Sequence, residues 1–163
     1  MPRLHTFDSW IYYPNYRFLW IGNFSANGAQ WLQLLSVGWL VQQLTEGTST
    51  SALLVITVGA INTLPSLFVS PWGGVLGDRL DRRKLVMSLQ LFMTCMAFLF
   101  ALLILMDWIK VWHAYSYVLI SGVCRSLIQP LRQALVANTV PKEAIGNAFA
   151  TNVLTITGTR LIG

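Results

Sequence analysis

The stretch Gly73-Gly74-Val75-Leu76-Gly77-Asp78-Arg79-Leu80-Asp81-Arg82-Arg83-Lys84 gathers the residue types most able to do more than pack. Gly73 and Gly77 stand four residues apart, a spacing that lets a second helix approach the backbone closely. Asp78 comes where apolar character ends, so its carboxylate can pair with a cation or accept from the N-terminus of a neighbouring helix. Arg79, Arg82, Arg83 and Lys84 then form a basic cluster. Such a cluster can make ion pairs, bind anionic lipid headgroups or only fix the orientation of a chain across a bilayer. A plain orientation-setting loop is the simplest reading, but the ordered Gly, Asp and cations exceed what orientation requires.

Two polar stripes accompany this loop. Asn23, Asn27, Gln30 and Gln33 recur at helical spacing, and at about 100° per residue they share one face about 120° wide. Ser121, Arg125, Gln129 and Arg132 are spaced i, i+4, i+8 and i+11, again one face. Amides and guanidinium groups are costly against lipid, about 2.5–3.5 kcal/mol for an Arg at mid-span, so both stripes are predicted to line other helices or a wet cavity. Arg125 has two readings: a cavity cation that attracts an anionic substrate or tunes a carboxylate, or a structural partner of a group elsewhere in the protein. Arg132 can pair with Asp78 or Asp81 and latch one conformation. Asn147, Thr151, Thr155 and Gly158 form a third, small and polar face, with Arg160 about 220° around from Asn147.

The elements that must position these residues follow from composition. Apolar residues make up 55% of the 163 and charged residues only 10%, well below the roughly 25% with which a soluble domain coats itself. Disordered, collagen-like and disulfide-scaffold classes are excluded on the same figures. Crossing a hydrocarbon core about 30 Å thick takes about 20 apolar residues in a helix. Five such stretches occur, at about 18–41, 51–76, 85–106, 112–136 and 144–163. Runs this long are helices, since a β-barrel would need alternating segments of about ten residues. The third stretch carries few polar side chains and is predicted to face lipid.

Charge then orients the spans. Arg3, Arg17, Arg79, Arg82, Arg83, Lys84, Lys142 and Arg132 fall on one side, and Lys110 alone on the other. By the positive-inside rule the N-terminus, with a tail over residues 1–17, lies in the cytoplasm of an inner (plasma) membrane. The net charge of +5 is thus topological, and no nucleic-acid partner is expected. Trp10, Tyr12, Tyr13 and Tyr16 are read as an interfacial segment, and Trp108, Trp112, Tyr115 and Tyr117 as the opposite aromatic belt. His113, among them, is either a proton relay or an interfacial packing group. Cys95 and Cys124 fall within spans and are read as small packing residues.

No metal-ligand spacing, nucleophile elbow or phosphate loop occurs, so no catalytic residue, metal or cofactor is assigned and the chain is not read as an enzyme. All six carboxylates, Asp8, Glu46, Asp78, Asp81, Asp107 and Glu143, lie in loops or at span ends. A proton-carrying acid at mid-membrane is therefore not supplied by this chain.

The loop resembles the signature of the major facilitator superfamily, Gly-x-x-x-Asp-Arg-x-Gly-Arg-Arg between the second and third helices. Gly74, Asp78, Arg79, Arg82 and Arg83 fall in register with it, while Asp81 stands where the pattern has Gly. An Asp there is similar to the branch of drug and siderophore exporters. Asn15-Tyr16-Arg17-Phe18-Leu19-Trp20, Gly38-Trp39-Leu40-Val41, Leu44-Thr45, Pro130-Leu131-Arg132-Gln133-Ala134-Leu135 and Val140-Pro141-Lys142-Glu143 resemble that branch too. Arg160-Leu161-Ile162-Gly163 resembles the start of the antiporter-type Arg-x-x-Gly-Pro-x-x-Gly-Gly motif of helix five. The resemblance implies an all-α integral membrane fold of twelve helices in two halves, of which this chain holds about five. It implies a secondary transporter, a small-molecule exporter working by alternating access, whose missing C-terminal half is a partner together with the lipid bilayer. A fragment of this kind is not expected to transport alone. An uptake permease for a small metabolite and a membrane scaffold or receptor that moves nothing are the alternatives. The paired polar stripes and the Gly-rich Asp-Arg loop, which a scaffold does not need, favour transport.

Overall fold

The computed structural model of the protein describes residues 13–139, 141 and 145–162. Among the described residues the fold is five α-helices and no strand: α1 (Pro14–Leu44), α2 (Ser51–Arg79), α3 (Arg82–Leu105), α4 (Val111–Thr139) and α5 (Ile145–Ile162). Helices α1 to α4 run 31, 29, 24 and 29 residues, each beyond the about 20 needed to cross a bilayer.

Local chemistry sets the helix ends. Pro14 opens α1 at the first helical position, where a missing N–H costs nothing and φ is already helical. The helix therefore starts four residues before the apolar run does. After α1, Thr45 returns its hydroxyl to the Val41 carbonyl at 2.7 Å and meets the Ser51 hydroxyl at 2.8 Å. Gly47, at φ +85°, supplies the left-handed residue that turns the chain. Helix α3 ends in a Schellman motif. Trp108 N–H donates to the Leu103 carbonyl and Asp107 N–H to that of Ile104, both at 3.1 Å, with Asp107 at φ +54° in the position usually held by Gly or Asn.

Two helices are long and apolar enough to cross a membrane by composition, over Ser51–Gly77 and Arg82–Leu105. Helix α3 buries only Val86 and Phe100, while Leu67 (72%), Phe98 (72%) and Leu105 (84%) stand open. A water-soluble protein does not leave contiguous apolar faces of this extent. Helices α1 and α4 carry the amides and arginines, and these lower their apolar average.

The chain divides into two compact units, Ser36–Arg132, and Met1–Leu35 with Gln133–Gly163. In the first, α2 and α4 lie side by side and run the same way. Tyr115 reaches Leu54, Gly122 meets Asn62 and Pro65, Gly73 meets Leu127 and Pro130, and Gly77 meets Leu131. Phe100 of α3 stacks on Tyr117 of α4 at 4.4 Å. In the second unit α1 and α5 also run parallel, with Tyr16, Val136 and Ala148 as the buried core and Leu19, Trp20 and Ile145 packed around it. Parallel pairing of α1 with α5, and of α2 with α4, is what a chain that reverses direction at each connection produces.

Candidate functional site

The α2–α3 connection is only Leu80 and Asp81, so each helix end must satisfy its own backbone. Leu80 N–H donates to the Leu76 carbonyl at 3.0 Å, and the Arg82 side chain reaches back, its Nε donating to the Gly77 carbonyl at 3.0 Å. A cation on the last carbonyls of α2 also suits the negative end of that helix. Asp81 caps α3: its Oδ1 accepts from the N–H of Arg83 at 2.9 Å and of Lys84 at 3.3 Å. This explains the departure at Asp81. The position is a helix N-cap, for which both Gly and Asp are suited and Asp more so. Arg79, Arg83 and Lys84 are exposed. Asp78 lies in the last turn of α2, and its side chain is outside the described residues.

The glycines of this segment do different work. A Cβ on Gly73 would stand 2.7 Å from Pro130 Cγ and 2.8 Å from the Leu127 carbonyl oxygen, and one on Gly77 would overlap the Leu131 side chain. Gly122 completes the seam from α4, where a Cβ would lie 2.6 Å from the Asn62 carbonyl oxygen. The predicted close approach at Gly73 and Gly77 is therefore present, with α4 as the partner. Gly74, the residue in register with the superfamily signature, has nothing within 4 Å of an added Cβ.

Helix α4 carries its polar stripe on a well-buried helix: Ala114, Val118, Ile128, Leu131 and Val136 are each at most 4% exposed. Ser121 is buried and donates to the Val118 carbonyl at 2.9 Å. Arg125, Gln129 and Arg132 are half-buried along the same side. At the start of α4, His113 Nδ1 accepts the Lys110 N–H at 3.1 Å and its ring lies on Trp112 at 3.7 Å. His113 thus serves the first turn of the helix as a capping group.

On α1, Asn23 is buried and donates from Nδ2 to Oδ1 of Asn152 at 3.3 Å. Asn27, Gln30 and Gln33 are half-buried, whereas Phe18 and Leu32 are exposed, so the amide stripe turns inward. Two further rungs join α1 to α5. Tyr16 Oη donates to the Ala148 carbonyl at 2.7 Å, and Trp20 Nε1 to that of Thr151 at 3.2 Å. Tyr16, read as part of an interfacial segment, is 1% exposed, its hydroxyl finding a backbone acceptor inside the bundle. On α5 the face toward α1 is Ala148, Thr151 and Asn152, so that of the small polar run Thr151 packs in the seam. Asn147 is half-buried beside it. The side chains of Thr155 and Arg160 lie outside the described residues, as does Gly163 as a whole. Cys124 is buried, as expected of a packing residue, whereas Cys95 is exposed on α3.

Sequence reasoning missed Gly122, Asn152 and the α1–α5 ladder. Gly122 is an isolated glycine with no periodic partner, and two of the ladder's acceptors are backbone carbonyls that no sequence displays. Among the described residues no three His, Cys, Asp or Glu groups gather where they could hold a metal ion. Apart from the exposed Arg79, Arg83 and Lys84, the polar groups placed so far lie in a helix seam, a helix cap or an inward stripe.

Comparison with known proteins agrees with this geometry. The sequence matches the family of transmembrane secretion effectors over residues 10–163. Neither the curated proteins nor the solved structures give a match. The match takes in all five helices, the α2–α3 connection and both polar stripes, and the chain belongs to the transmembrane secretion effectors of the major facilitator superfamily.

Proposed function

We propose that this chain forms the N-terminal helices of a secondary transporter that exports a small molecule, drug-like or siderophore-like, by alternating access. The membrane is the inner (plasma) membrane, and the N-terminus and the α2–α3 connection face the cytoplasm. The observation that carries the reading is α4. A buried helix keeps Arg125 on one side with Ser121, Gln129 and Arg132, although Arg at mid-span opposes insertion. A helix that only filled space would gain from an apolar residue there.

In this reading Asn23, Asn27, Gln30, Gln33, Ser121, Arg125 and Gln129 line the path. Gly74, Asp78, Arg79, Arg82 and Arg83 form the switch between conformations. Arg132 is the latch, pairing with Asp78 or Asp81 in one conformation. Arg160 and Gly163 belong to the antiporter-type motif of α5. The second half of the carrier completes the cavity, and coupling uses groups of that half or a carrier other than the proton.

The test is efflux of a preloaded amphiphilic dye from proteoliposomes containing the full carrier. Arg125→Gln should lower the efflux rate at least about tenfold, as loss of a charged contact of about 1.4 kcal/mol or more demands, with the thermal unfolding of the protein unchanged. Undiminished efflux by Arg125→Gln would remove the basis for this assignment.

A further inference from the structure

The first turn of α3 holds Arg82, Arg83 and Lys84 in succession and no carboxylate. The positive end of a helix disfavours cations, so this arrangement calls for a compensating anion. The adjacent acid does not supply it in full: the Asp81 carboxylate, accepting from the backbone N–H groups of Arg83 and Lys84, offsets one of three positive charges. Arg82 is turned back onto the Gly77 carbonyl. The Arg83 and Lys84 side chains are exposed.

What lies below them is equally specific. At about 100° per residue, Arg83, Met87, Phe98, Leu91 and Lys84 fall within one sector of about 100°. Met87, Leu91 and Phe98 are exposed at 60%, 66% and 72%. Met87 and Phe98 are about 16 Å apart along the helix, close to the about 15 Å of one hydrocarbon leaflet. Two cations thus head an open strip one leaflet long, apolar but for Thr94, whose hydroxyl donates to the Gln90 carbonyl at 2.9 Å. That is the complement of a single anionic amphiphile, charged at one end and greasy along its length. We propose that this face of α3 selectively holds an anionic phospholipid, its phosphate between Arg83 and Lys84 and an acyl chain along Met87, Leu91 and Phe98.

The experiment is native mass spectrometry of the full chain in mild detergent, titrated with dioleoyl phosphatidylglycerol and, separately, dioleoyl phosphatidylcholine. Each cation near an anionic headgroup contributes about a fivefold preference, so Arg83→Gln with Lys84→Gln should weaken phosphatidylglycerol binding about 30-fold. Phosphatidylcholine binding should stay as it was, and the swap Arg83→Lys with Lys84→Arg should retain the preference. On the unsubstituted chain, raising salt from low to high concentration should erode the preference, and millimolar inorganic phosphate should leave the lipid bound. Equal binding of the two lipids, or an unchanged preference in the double Gln variant or at high salt, would overturn the proposal. Displacement by inorganic phosphate would also overturn it, leaving an anion site with no lipid chain.

Discussion

Gly122→Ala tests the seam between α2 and α4. The added Cβ would sit 2.6 Å from the Asn62 carbonyl oxygen and 3.3 Å from both Asn62 C and Pro65 Cγ. Ordinary contact begins at about 3.4 Å, so the helices must part locally by about 0.8 Å. Neither partner can swing aside, since one is backbone and the other a proline ring. Overpacking of this kind costs about 1–3 kcal/mol. Alanine recovers about 1 kcal/mol of helix propensity over glycine, which would mask part of the loss. Gly59→Ala on α2 supplies the control, because an added Cβ there has nothing within 4 Å. The propensity gain is common to both variants, so their difference isolates the steric cost. Urea unfolding in mild detergent, followed by circular dichroism, should place Gly122→Ala about 1–3 kcal/mol below Gly59→Ala. A Gly122→Ala protein as stable as the Gly59→Ala one would refute the packing described here.

Two smaller perturbations probe the helix ends and the α1–α5 ladder. Asp81→Ala removes the α3 cap and should cost about 1 kcal/mol in the same unfolding measurement, whereas Asp81→Gly should cost only a few tenths; equal losses would mean that the carboxylate does something other than cap. Tyr16→Phe removes one buried interhelical hydrogen bond and should cost about 0.5–1.5 kcal/mol, with an unchanged melting point as the contrary result.

Much of this architecture is legible in the sequence, and what is not has identifiable causes. Hydropathy measures the greasy thickness of a span, not the length of its helix. Pro14 and Asp81 therefore start α1 and α3 earlier than the apolar runs at Phe18 and Leu85 do. Asp81 was visible as a charge near cations and invited an ion-pair reading; its backbone role depends on the helix beginning at Arg82. The amide stripe of α1 follows from spacing alone, and Asn27, Gln30 and Gln33 do turn inward. The partner of Asn23 does not follow. Asn152 lies 129 residues away and shares no pattern with it. Gly73 and Gly77 announced a close helix, but only the structure names α4, because one of the surfaces they meet is a proline ring and another a backbone carbonyl.

In the proposed carrier the amide-bearing and arginine-bearing faces meet water while the bare apolar faces meet lipid. Single cysteines at Asn27, Gln129, Leu67 and Phe98, placed in a full carrier with Cys95 and Cys124 replaced by Ala, test it most directly with a hydrophilic thiol reagent. Asn27→Cys and Gln129→Cys should react, and Leu67→Cys and Phe98→Cys should stay unmodified although their side chains are the more exposed in the isolated fold. Rapid modification at Leu67 and Phe98, with Asn27 and Gln129 inert, would contradict the account.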